Sequence, residues 1–304
     1  MRFANNVVTS TCLSIVMFGT GVCLSSDILA SGIPFAGNRP QSFQFSSEFI
    51  ESYDSFGQYL QWNNDRRRFD DDGDEVRGSG TDTYVGLSSL LHYWKVDGLP
   101  KNGFVASITV PEIAIRGSNT RVSGIGDPLI GGLVWYNPVP LRTLGVQAYV
   151  QVPLGADSVS SDGYSLWPSV FYNEWFGRVN IDLLLGGILR DEAAHGVEPG
   201  NTAHANLRLG YNLVDRPTYQ ITPFLSYDYQ KSWESEDRAG QPIAHSESNE
   251  TALGAGVLFQ LKPGIQSLYA QKMWDQVSLH YSTGVQGRNT SVTDGLFLQV
   301  WHYW

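Results

Sequence analysis

The final segment, Gly295-Leu-Phe-Leu-Gln-Val-Trp-His-Tyr-Trp304, constrains the fold more than any other part of the chain. Leu296, Leu298, Val300 and His302 share one face, and Gly295, Phe297, Gln299, Trp301 and Tyr303 share the other. A period of two is that of a β-strand. A strand running out on aromatic residues at the carboxyl end is odd for a soluble domain. It suits the closing strand of an antiparallel up-and-down barrel in a membrane.

Upstream, the sequence repeats this pattern in segments of roughly ten residues, the length that a tilted strand needs to cross a bilayer. Leu144, Val146, Ala148, Val150, Val152 and Leu154 alternate with Gln147, Tyr149 and Gln151. Val179, Ile181, Leu183 and Leu185 alternate with Asn180 and Asp182, and Ala205, Leu207, Leu209 and Tyr211 with His204, Asn206, Arg208 and Asn212. Val277, Leu279, Tyr281 and Val285 stand against Gln276, Ser278, His280, Ser282 and Gln286. The pattern predicts about twelve strands, near 41–53, 81–96, 103–115, 126–137, 144–154, 165–176, 178–190, 202–213, 218–230, 249–261, 276–286 and 294–304. In the strand at 165–176, Leu166, Val170, Tyr172 and Phe176 compete with Trp167, Phe171 and Trp175 for the outward face.

The connections differ in kind. Residues 96–103, 138–143, 176–178 and 215–218 are short and turn-like, whereas 54–80, 116–124, 155–165, 191–201 and 231–249 are longer and hydrophilic. Short turns at the periplasmic end and long loops outside are the habit of outer-membrane barrels. Two connections, 262–275 and 287–293, depart from that habit. An even strand number puts both termini in the periplasm.

Arg2, the apolar stretch from Val7 to Leu24 and the small residues near Ser25, Ser26 and Ala30 form a secretory signal, residues 1–30, cleaved near 25–31. Residues 31–304 are then one barrel domain. Both cysteines, Cys12 and Cys23, lie in the signal, so the mature chain has no thiol for a disulfide or a thiolate metal site. Beyond the amino terminus no run of eighteen apolar residues exists for a helical span. The formal net charge of −10 argues against a nucleic-acid partner, which needs a cationic surface. A soluble β-sandwich also contains many short strands. Against it stand aromatics near strand ends, Trp94, Trp135, Tyr136, Trp175, Phe176, Tyr227, Tyr229, Trp274 and Trp301, placed as interfacial girdles.

Few motifs suggest chemistry. Asp70, Asp71, Asp72, Asp74 and Glu75 could gather a hard cation at the surface, but Arg68 and Ser79 fall where an EF-hand would need its first and last ligands, and the bland reading is a solvated loop. His280 and Ser282, two residues apart on one strand, pair a base with a hydroxyl, and Asn289 could orient the base. This His-x-Ser pair resembles that of outer-membrane lipid A deacylases and phospholipase A. Thr283 stands where the deacylases have Asn, and the pair shares the polar face. The other histidines, including His195 and His245, lack metal-ligand spacing, and no cofactor motif is present: Gly124-Ile-Gly126 leads through Asp127-Pro128 into a strand.

The stretch from Ser123 to Tyr136 with its Gly-Ile-Gly-Asp, the strand ending Val152-Pro-Leu-Gly155 and the late Gly287-Arg-Asn-Thr290 resemble the MetA-pathway of phenol degradation family over most of residues 41–304. The resemblance implies an outer-membrane barrel of a Gram-negative bacterium, associated with catabolism of aromatic or other hydrophobic compounds and with their transport. Such barrels usually end in Phe, where this chain has Trp304.

The expectation is a passive channel whose lumen is lined by Gln147, Tyr149, Gln151, Asp182, His204, Asn206, Arg208, Gln220, Asp228, His280 and Gln286. Amides, aromatics and few charges suit an uncharged or aromatic small-molecule solute. The expected partners are outer-membrane lipids, lipopolysaccharide and the barrel-assembly machinery, reached through the strand ending at Trp304. The alternatives are a lipid acyl hydrolase using His280 and Ser282, and a non-conducting surface-binding barrel.

Overall fold

The computed structural model describes residues 52–118, 120–191, 196–261 and 275–304. Alternating sequence needs two environments, one per face of a sheet, and the chain supplies them by closing one antiparallel sheet on itself. In order the strands are β1 (Tyr53–Phe69), β2 (Glu75–Trp94), β3 (Asn102–Arg116), β4 (Arg121–Ile125), β5 (Leu129–Tyr136), β6 (Arg142–Gln151), β7 (Ser165–Phe176), β8 (Val179–Arg190), β9 (Thr202–Tyr211), β10 (Val214–Asp215), β11 (Tyr219–Ser232), β12 (Ser248–Leu261), β13 (Asp275–Arg288), β14 (Thr290–Ser291) and β15 (Asp294–Tyr303). The short β4, β10 and β14 extend neighbouring strands, and the other twelve form the barrel.

Closure removes the free edges that an open sheet would expose. It comes from β15, whose residues pair with β1 from Ser55↔Tyr303 to Asn63↔Gly295, and two backbone bonds between Asp54 and Trp304 complete the seam (2.9 and 3.1 Å). The end where β1 begins and β15 finishes is the terminal end here, and the opposite end is the loop end.

Leu60, Leu90, Ile130, Val146, Val170, Leu185, Leu225, Leu253, Leu279 and Leu296 all point outward and exposed. A belt of that size left in water would be an aggregation surface, so the outer face is built for lipid. Among the described residues there is no helix long and apolar enough to cross a membrane; the strands do it. In β7, Leu166, Val170 and Phe176 take the outward face, while Trp167 and Phe171 point inside.

Several boundaries move from their sequence positions. Among the described residues the first strand is Tyr53–Phe69; residues 41–51 of the strand expected at 41–53 lie outside them. The segment 54–80 is not a loop: it is β1, a tight turn at 70–74 and the start of β2, because the strands continue past the apolar belt as a polar hairpin carrying Arg66, Arg67 and Arg68. Trp135 and Trp301 are not girdle residues. Each has the parity of the inward face and is almost fully buried in an interior cluster with Tyr93, Phe171 and Tyr303 at the terminal end. The signal segment, His195, Trp274 and residues 262–274 lie outside the described residues.

Candidate functional site: the inner wall and the motif loops

The interior has two kinds of wall. Across β7, β8, β9 and β11 many inward positions are polar and tied into a ladder, interleaved with Trp167, Phe171, Leu184 and Ile188. Asp182 is fully buried and accepts from Asn173 (2.8 Å), Asn180 (3.4 Å) and Arg208 Nε (2.8 Å), while a second Arg208 bond runs from Nη2 to the same oxygen as the Nε bond. Its guanidinium also lies 5.2 Å above the centre of the Phe224 ring. Asn206 donates to Asp228 (2.6 Å) and shares a bond with His204 Nδ1 (2.9 Å). Neutral amides surround one ion pair, and a second buried acid of the same wall, Asp228, is held by the Asn206 amide.

The remaining interior is aromatic and aliphatic. Tyr59, Val85, Leu87 and Phe297 form one cluster, and Leu129, Tyr149, Trp167 and Ile188 form another. The largest lies at the terminal end, where Tyr53 stacks on Tyr93 (4.2 Å) and Trp135 donates to Asn137 (2.9 Å).

Of the sequence candidates, Gln147, Tyr149, Gln151, Asp182, His204, Asn206, Arg208, Gln220 and Asp228 sit buried on the inner face. His280 also points inward, stacked on Phe297 (4.4 Å) and near Phe224 (5.7 Å). Gln286 does not. Thr251 pairs with Gln286 but Ala252 with Gly284, so Val285 is an extra residue, and this bulge turns Gln286 to the exposed side. Polar atoms of Gln61, Gln147, Thr222, Ser226 and Gln260 on the inner wall are buried without a hydrogen-bond partner among the described residues.

The hydrolase residues do not assemble on the lipid side. Ser282 is buried on the inner face and donates to the Leu253 carbonyl (3.3 Å), and Asn289 is held in a loop by Asp71 (3.1 Å). The acidic run is likewise committed. Asp70 accepts from the backbone N–H groups of Asp72 (3.0 Å) and Asp74 (2.9 Å), and Glu75 pairs with Arg67 (3.1 Å). Among the described residues no group of His, Cys, Asp and Glu has a metal-holding arrangement.

The motifs that carry the family resemblance turn out to be loop fasteners. Asp127, at the end of Gly-Ile-Gly-Asp, accepts from Gly155 N–H (2.9 Å), Ser160 Oγ (2.7 Å), Ser161 N–H (2.7 Å), Ser161 Oγ (2.8 Å) and Gln151 (3.2 Å). Burial pushes its carboxyl up, but the donors of Ser161, Ser160 and Gly155 outweigh it and hold the group below its ordinary value. In Gly-Arg-Asn, Gly287 lies where a side chain would collide with Phe69. Arg288 then bridges Asp71 (2.8 Å) and Glu247 (3.0 Å), and His245 reaches the other Asp71 oxygen (3.0 Å). The Asn289 amide, His245 and Arg288 keep the Asp71 carboxyl below its usual value. These bonds tie together three loops: 70–74, 233–247 and 289–293. Sequence reading found the motifs without their purpose, since the bonding partners are far away in the chain.

No curated protein sequence matches the chain. Among solved structures, it is similar to the COG4313 outer membrane channel from Pseudomonas putida F1, with 14% identity, a TM-score of 0.68, and 86% of this chain and 98% of that one covered. It is also similar to the translocator domain of the autotransporter NalP from Neisseria meningitidis, at 12% identity and TM-score 0.51, covering 93% of this chain and 99% of that one. At such identities the likeness speaks for the fold, a transmembrane β-barrel. The family described as "Putative MetA-pathway of phenol degradation" matches residues 64–300, which include both motif loops, and the chain belongs to that family.

Proposed function

We propose that the protein is an outer-membrane channel through which small, uncharged or aromatic compounds pass by diffusion. The observation that carries this reading is the mixed inner wall: a ladder of amides around the Asp182–Arg208 pair on β7, β8, β9 and β11 is interleaved with aromatic clusters. A flat, uncharged solute can exchange aromatic contacts along such a lumen without shedding a large hydration shell, whereas an ion meets few uncompensated charges to hold it. Family membership and the likeness to the Pseudomonas putida outer membrane channel point the same way. The short turn at 177–178 and the seam of first and last strands suit a periplasmic terminal end, with lipopolysaccharide around the loop end. The last strand, β15, is then what the assembly machinery would recognise.

The test is single-channel conductance of the refolded protein, with uptake of aromatic and charged solutes into proteoliposomes. Discrete conductance steps and faster uptake of uncharged aromatics are expected, reduced several-fold for those solutes in Tyr149→Ala and Trp135→Ala. Equal uptake of charged and aromatic solutes, or no effect of both substitutions, would sink the selectivity claim. A barrel that never conducts would sink the channel.

A further inference from the structure

On the outer face the strands β1, β2 and β3 place their side chains in rows. At the loop end the row is Asn64, Asp82 and Arg116, with Asn64 and Trp62 both donating to Asp82 (2.6 and 3.2 Å) and Arg116 lying 5.5 Å from the centre of the Tyr84 ring. At the terminal end Asp54 pairs with His92 (2.8 Å). These rows mark the two edges of the lipid-facing belt. Between Asp54 and Asn64 run ten residues, about 33 Å of strand and about 25 Å along the membrane normal at a tilt of about 40°, which is the height of a barrel's apolar band.

Near the middle of that belt three polar side chains meet. Ser88 Oγ lies 2.7 Å from Glu112 Oε1 and 2.8 Å from Gln58 Oε1, and Gln58 Nε2 donates to Glu112 Oε2 (3.3 Å). Of the three, Glu112 lines an open groove of about 530 Å³, whose walls include Leu60, Trp62, Tyr84, Leu296 and Leu298. Gly86 makes the arrangement possible, because any side chain there would overlap the Glu112 carboxylate. Ionisable residues on a lipid face are costly and rare, and one held in a shaped hollow asks for a reason.

The chemistry of the trio identifies what is missing. Ser88 has one hydroxyl proton and two acceptors in reach, so one of them lacks a donor. Glu112 has no ion-pair partner among the described residues, and Arg116, the nearest cation on this face, is engaged at Tyr84. We propose that this groove is a docking site, reached from within the bilayer, for the primary ammonium head of a single-chain amphiphile. Its three N–H donors serve the two competing acceptors, its charge balances Glu112, and its chain lies along Leu60, Leu296 and Leu298. A phospholipid amine is the wrong source. It sits beyond its own phosphate, which would have to be drawn about 10 Å into hydrocarbon to bring the amine to Glu112.

The probe is dodecylamine, counted as bound adducts by native mass spectrometry of the full-length refolded barrel in neutral detergent. Folding of every variant is checked by its heat-dependent gel migration. Occupancy is expected to fall at least tenfold in E112Q and, with the charge kept, several-fold in G86A and S88A, while dodecanol and phosphatidylethanolamine fail to compete. Unchanged occupancy in folded E112Q overturns the proposal. Equal competition by dodecanol overturns the role of charge, and equal competition by phosphatidylethanolamine reassigns the site to a lipid. Conductance does not enter these readouts, so a barrel that binds the amine yet stays silent would defeat the channel reading and leave this one standing.

Discussion

Asp182 and Glu112 are both carboxylates within the barrel wall, and they are opposites. Asp182 faces inward and is surrounded by Arg208, Asn173 and Asn180, a closed set that meets both its charge and its hydrogen-bonding capacity. Glu112 faces outward with a hydroxyl and an amide that do not suffice for it. The inner acid is part of the wall's own cohesion, whereas the outer one has an unfilled place beside it. Burial and charge alone do not separate structural from ligand-seeking acids; the count of donors does.

The largest effect should come from opening the closed set. Arg208→Met leaves Asp182 buried without its cation and should cost about 3–5 kcal/mol, while Asp182→Leu combined with Arg208→Met should recover most of it. Denaturant unfolding of the refolded barrel decides this, and a single variant as stable as the parent would break the contrast. An intermediate case is Asp127, satisfied by donors without a cation. Asp127→Asn should loosen the loop at 155–162 by about 2–3 kcal/mol, read by hydrogen exchange. Because the folded carboxyl lies below its ordinary value of 3.8, its stabilisation is complete above that pH and fades as pH falls through the lowered value. Protection of the loop should therefore drop in acid in the parent and show no such drop in Asp127→Asn.

The outer acid should respond in the other direction. Glu112→Leu is expected to raise stability by about 1–2 kcal/mol, since it removes a polar group from the lipid face. A large loss instead would make Glu112 a structural residue like Asp182. The smallest effect belongs to the exposed fastener: His245→Ala should change stability by less than about 0.5 kcal/mol, because a solvated contact is worth little.

Much of the barrel was legible in sequence because alternation is a local signal. Leu296, Leu298 and Val300 face lipid, and Gln147, Asp182 and Asn206 face inward, as the period of two requires. Local signals fail where the chain exceeds the membrane. β1 and β2 continue past the belt with arginines and aspartates, so the polar part of 54–80 reads as loop although most of it is paired strand; the same reading also took in Phe56, Leu60 and Trp62, whose alternation marks the lipid-facing part of β1. Trp135 and Trp301 were misjudged by weighing residue type over parity, and Gln286 because a bulge leaves no mark in the sequence. The Glu112 site draws on three strands, so its assembly was not readable. One hint was present: Ile108, Val110, Glu112 and Ala114 share a face, and an acid in an apolar file is out of place.

The seam between β1 and β15 has a kinetic consequence. Every other pair of neighbouring barrel strands is also consecutive along the chain, so a growing sheet can add them one hairpin at a time. The seam joins Ser55 to Tyr303, across nearly the whole described chain. Ordering so long a loop is slow, and contacts of such sequence separation limit folding rates. Until it forms, two full-length edges stay open and adhesive, so the time spent unsealed, more than the stability of the finished barrel, sets how exposed this protein is to misassembly.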